Sequence, residues 1–193
     1  MPEIQKELSG RQWVDRFPGS KSLDDLADPF RSKAKGFVGA LLDAGCGVAI
    51  SSTLRPPQRA WLMHYSAAIA QNVIAPENVP PNTGINIEWV YRVGGQIDRP
   101  QSRSAALQMV QSYEIDPTSP LPALQSRHTE GCAIDMTISW NNTLAIRAAN
   151  GIIQSMSDGP RSGLNPLLQQ VGHGYGVVKA VFTDDPHWSS DGH

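Results

Sequence analysis

The chain has 193 residues, 40% hydrophobic and 18% charged, with a formal net charge of −2. That length suits one compact domain whose core needs no disulfide staples, and the composition is globular, not disordered. The slight negative charge without a basic run excludes nonspecific nucleic-acid binding, and no run of 18 apolar residues is present to insert into a membrane.

The stretch "MPEIQKELSGRQWVDRF" has no apolar segment behind a positive start, so synthesis in the cytoplasm without a signal peptide is expected. Residues 1–27 read as an N-terminal extension and 28–193 as the functional domain. "DPFRSKAKGFVGALLDAG" predicts a helix, with Asp28 as cap, Pro29 in the first turn and Gly45 just past the end. Phe30, Ala34, Phe37, Val38 and Leu41 make its buried stripe. "VAISST" (48–53) predicts a strand, after which Pro56 and Pro57 open a second helix through "QRAWLMHYSAAIAQ". "APENVPPNTG" is a loop, and "INIEWVY" alternates like a half-buried strand.

"SRSAALQMVQSY" predicts a third helix, which "PTSPLP" breaks. "AIDMTISW" and "TLAIRA" flank Asn141-Asn142, a plausible hairpin turn. "NPLLQQVG" predicts a short helix, and "GVVKAVFT" a last strand leading into "DDPHW". The expected fold class is α+β, a mainly antiparallel sheet flanked by helices. Cys46 and Cys132 are too few for a disulfide framework and read as half-buried thiols, with pairing left open.

"SRHTEGCAIDM" (126–136) sets a carboxylate in an apolar run, a short distance after a histidine. Catalytic zinc takes three protein ligands from His, Asp, Glu or Cys and leaves a fourth position open. His128 and Asp135 in this stretch, with His187 in "DDPHW", make such a set. Asp184, three residues before His187, is placed to act as a general base, and Asp185 ranks second. Taken singly, each piece has a bland explanation: a lone histidine is more often structural, and "DDPH" is an ordinary turn. His64, His173 and His193 have no motif and read as structural or exposed. Cys132, four residues after His128, is discounted as a thiolate ligand because it sits on the opposite strand parity from Asp135.

Together, "SRHTEGCAIDM" fits Ser-x-His-x-x-Gly-x-Ala-x-Asp through Ser126, His128, Gly131, Ala133 and Asp135, and "DDPHW" fits a downstream acid-x-x-His element. In these motifs the chain resembles the zinc D-Ala-D-Ala carboxypeptidases and dipeptidases and the L-alanyl-D-glutamate endopeptidases of phage lysins, whose fold is shared with the hedgehog signalling domain. The resemblance covers roughly residues 30–188. "SSTLRPPQ" looks like the family's Ser-x-x-Arg-x-x-x-Gln segment, with Gln58 one position closer to Arg55 than that pattern has it. It implies that Arg55 contacts substrate and the developing oxyanion, that Gln58 shapes the cleft, and that Ser126 helps to bind substrate. Asp184 departs from the Glu of common relatives, and a shorter acid occurs in the phage-lysin branch.

The resemblance implies a zinc-dependent hydrolase of peptidoglycan stem peptides. An L-Ala-D-Glu endopeptidase is preferred over a D-Ala-D-Ala carboxypeptidase. The alternative of another class is a non-catalytic wall-binding or structural component of a phage or secretion machine. A monomer acting at the cell wall or periplasm, with no nucleic-acid partner, completes the expectation.

Overall fold

The computed structural model describes residues 6–181 and 184–193. Nine short strands and four helices alternate along it: β1 (Glu7–Leu8), α1 (Phe30–Asp43), β2 (Gly47–Ser52), α2 (Pro57–Ala70), β3 (Ile87–Glu88), β4 (Arg92–Val93), β5 (Gln96–Ile97), α3 (Arg99–Ser112), β6 (Ala133–Ser139), β7 (Leu144–Arg147), β8 (Ile153–Met156), α4 (Pro166–Tyr175) and β9 (His187–Ser189). The class is α+β, with antiparallel pairing everywhere except β1 with β3.

The chain divides into two compact units. One comprises the described residues up to Pro18 together with Pro56–Leu124, and carries α2 and α3. Its core is aromatic: Trp13, Trp61 and Trp89 pack with Leu62, Ile69, Ile87 and Met109. Pro57 opens α2, and the Asp98 carboxylate caps α3 by accepting from Gln101 N–H. Helix α3 thus begins three residues earlier than the apolar pattern suggests, because "DRP" supplies a cap and a proline that suits a first turn. Of the expected strand in "INIEWVY" only Ile87–Glu88 forms a ladder.

The other unit comprises Gly19–Arg55 and Gln125–His193. Its centre is a three-stranded antiparallel sheet in the order β2-β6-β9. Helix α1 lays Phe30, Ala34, Phe37, Val38 and Leu41 into a core shared with Ile134, Met136, Ile138 and Trp188. Asp28 does not cap α1: no side chain caps that terminus, and the carboxylate accepts from Ser32 Oγ instead. Helix α4 is opened by the Asn165 side chain, which accepts from Leu167 and Leu168 N–H, and it closes on Gly176 in the left-handed region at φ 77°.

Two expected strand features differ. Asn142 does adopt a turn conformation at φ 58°, yet β6 and β7 do not form a hairpin. Both edges of β6 are already occupied by β2 and β9, so β7 pairs with β8. No strand forms within the described part of "GVVKAVFT"; Val178 makes one isolated bridge to Ser189, and the last two residues of that stretch lie outside the described residues. The final strand is instead β9, built on "HWS", whose Trp188 is fully buried against Phe37 at a ring separation of 5.4 Å.

Candidate metal centre

Asp135 and His187 are direct cross-strand partners on β6 and β9. Partners in an antiparallel pair hold their Cβ atoms about 5 Å apart on one face, so these two side chains meet. His128 comes from the turn that leads into β6. The Ser126 carbonyl accepts from Thr129 and Glu130 N–H, and Cys132 N–H closes the turn on Arg127 O at 2.7 Å. Gly131 sits there at φ 68°, where a Cβ would also lie 2.9 Å from Ala27 N. A glycine is therefore required both by conformation and by close approach.

The tautomer of His128 follows from its surroundings. Its Nδ1 lies 2.8 Å from the Thr53 carbonyl, which can only accept, so Nδ1 carries a proton. In the neutral ring Nε2 then presents a lone pair, and it faces Asp135 Oδ1 at 3.1 Å and His187 Nδ1 at 3.3 Å. His187 Nδ1 is itself 3.0 Å from the same Oδ1. Three electron-pair donors so close repel one another unless a proton or a cation lies among them. His128, Asp135 and His187 could therefore hold a metal ion.

The protonation shifts tell the same story. Burial opposes ionisation of Asp135, but hydrogen bonds and charge from His128 and His187 outweigh it and hold the carboxyl well below the usual carboxylate range. The hydrogen bond to Asp135 raises His187, against the opposing effect of its burial. An anion is thus maintained between two imidazoles.

Strand β2 supplies the support behind His128. Its register with β6 shifts between Ile50 and Ser52, leaving Ser51 as a bulge whose hydroxyl donates to Asp135 O at 3.2 Å. Beyond this irregularity the Thr53 carbonyl reaches the imidazole, and Arg55 N–H donates to His128 O at 3.0 Å. Arg55 is thus tied through its backbone to the ligand turn. Gln58 lies on α2 in the other unit. Ser126 Oγ is buried and has no hydrogen-bond partner among the described residues. Ser126 lines an open cavity of about 420 Å³ with Arg127, Glu130, His187, Asp191 and His193.

Asp184 and Asp185 are both exposed, and the negative charge of Asp184 adds to the upward shift of His187. Both thiols are free: Cys46 is buried, which pushes its pKa up, and Cys132 Sγ approaches Glu130 O at 3.6 Å. His64 pairs through Nδ1 with the Pro122 carbonyl at 2.7 Å, while His173 and His193 are exposed.

Two contributors escaped the sequence reading. The Thr53 carbonyl is a backbone group, which no residue type advertises. Lys179, 6% exposed, directs its ammonium at the carbonyls of the turn before β9. The one available signal was a lysine within the apolar run "VVKAVF".

No family model matches the chain, and no curated protein sequence matches it either. Among the described residues no helix is long and apolar enough to cross a membrane.

Proposed function

We propose that the protein is a zinc-dependent peptidase that hydrolyses peptidoglycan stem peptides, a member of the group to which its motifs bear resemblance, with the hedgehog-like fold. The observation that carries this reading is the convergence of His128 Nε2, Asp135 Oδ1 and His187 Nδ1 at 3.0–3.3 Å, with His128 Nδ1 donating to a backbone carbonyl. A tetrahedral zinc ion with bonds of about 2.0–2.1 Å spaces its ligands about 3.4 Å apart, close to these separations. Two imidazoles and one carboxylate suit a borderline ion, and three protein ligands leave a position open for chemistry. Histidine ligands commonly have the other ring N–H fixed by a carbonyl, as His128 does.

When bound, the ion supplies Lewis acidity to the scissile carbonyl and acidifies the attacking water. Asp184 accepts the proton from that water and returns it to the departing amine. Arg55 offers a permanent positive charge to the oxyanion and to substrate carboxylates, and Ser126, which lines the cavity beside His187, shapes the substrate's seat. The bond preferred is L-Ala-D-Glu, as in the phage-lysin branch that shares a shorter acid at the base position.

The test is mass spectrometry of intact muropeptides incubated with the zinc-loaded protein. Release of the peptide from D-Glu onward is expected. Release of D-alanine alone would assign a carboxypeptidase instead. No cleavage by a protein holding stoichiometric zinc would leave a wall-binding or structural component.

A further inference from the structure

We propose that Lys179 is a positioning residue, a buried ammonium that fixes the His187 ligand and the Asp184 carboxylate in one rigid turn; this rests on the peptidase reading above. The Lys179 Nζ donates to Asp184 O at 2.8 Å, Asp185 O at 2.7 Å and His187 O at 3.3 Å. An ammonium has three N–H donors and no acceptor, so these three carbonyls satisfy it completely. Among the described residues it forms no ion pair with a carboxylate side chain. A full charge is thus buried to organise backbone, and backbone that bears both the proposed base and a metal ligand.

The other end of the strut is equally fixed. Val178 and Ser189 exchange both backbone hydrogen bonds, at 2.8 and 2.9 Å, and Ala180 N–H donates to Gly192 O. The ammonium also lies 5.8 Å from the centre of the Trp188 ring, within range of a cation–π attraction. Lys179 therefore bridges the segment ahead of the turn to the turn itself. Losing it would strip Asp185 O of this donor and leave Asp184 O only the His187 N–H at 3.2 Å, loosening the turn that sets the Asp184 carboxylate relative to His187. Burial works to lower its pKa, while the charges of Asp185, Asp184 and Asp135 favour the ammonium. Conversion to Met, an uncharged side chain only one atom shorter, removes the donors and leaves little void.

Residues that orient a metal ligand commonly change affinity by about 10–100-fold when replaced. The experiment titrates Zn²⁺ into the metal-free full chain against a chromophoric chelator, comparing the unmodified protein, Lys179→Met and Lys179→Gln. Turnover of a muropeptide is followed in parallel. Lys179→Met is expected to bind zinc about 10–100-fold more weakly and to lose kcat with KM unchanged; Lys179→Gln, which retains two N–H donors, is expected to lose less. Folded variants with unchanged zinc affinity and kcat would overturn the proposal. So would failure of both variants to fold, which would make Lys179 a support of the fold and not of the site. Absence of zinc binding by the unmodified protein would instead remove the peptidase reading.

Discussion

At the scale of single residues, the centre depends on which atoms carry protons. His128 is committed to one tautomer by the Thr53 carbonyl, and His128→Ala or His187→Ala is expected to abolish stoichiometric zinc in metal analysis of the purified protein. Asp184→Asn keeps all three ligands, so it is expected to retain zinc while turnover drops by about 10²–10⁴-fold, the usual worth of general acid–base help. Damage from Asp185→Asn instead would transfer the base to that residue.

The pH dependence divides by metal state. In the metal-free protein His187 is raised, so the stability it contributes is complete below about pH 6.5 and is lost as pH rises through the higher folded value. Asp135 is depressed, so its contribution is present above about pH 4 and is lost only as pH falls through its lowered folded value. On the proposed reading, zinc would compete with these protons and bind more tightly as pH rises. Unfolding midpoints taken from pH 5 to 9, with and without a chelator, are expected to diverge upward. Parallel curves would remove His187 from the ligand set.

At the scale of elements, the helices were the legible part, and for a physical reason. An apolar stripe repeating every three to four residues, bounded by proline and glycine, is written locally, and α1 and α2 follow it closely. Strand pairing is not local. "AIDMTISW", an asparagine pair and "TLAIRA" have all the marks of a hairpin, but the partner of each strand depends on which edges are already taken. The three residues that could hold a metal ion were legible because their residue types and spacing form a motif. The Thr53 carbonyl and the Lys179 strut were not, since one is backbone and the other is known only from where the chain returns. Two elements carry direct tests. Asn165→Ala removes the side chain that caps α4 and is expected to cost about 1 kcal/mol in urea unfolding. Gly131→Ala combines a left-handed backbone with a contact to Ala27 N and is expected to cost about 1–3 kcal/mol.

At the scale of the whole molecule, the three residues that could hold a metal join segments far apart in sequence, so an ion bound there would couple its occupancy to folding. Zinc at a hundredfold excess over its Kd adds about 2.7 kcal/mol to a state that alone binds it, which corresponds to a rise in Tm of about 5–10 °C for a chain of this size. Calorimetry before and after chelation measures this, and an unchanged Tm would argue against the site.

Each of the two units has its own buried core. The places where the chain enters and leaves the unit holding the ligands are stitched to one another: Ser20 bonds to Thr53 and Leu54, and Arg55 bonds to His128, three residues past the return at Gln125. In genetic terms, Pro56–Leu124 interrupts the ligand-holding unit between Arg55 and Gln125. A gene in which that stretch is replaced by a few codons of glycine and serine is expected to encode a chain that still takes up one zinc ion, since Thr53, His128, Asp135, Lys179 and His187 all lie outside the excised part. A miniature that takes up no metal would show instead that Pro56–Leu124 is needed to hold these residues together.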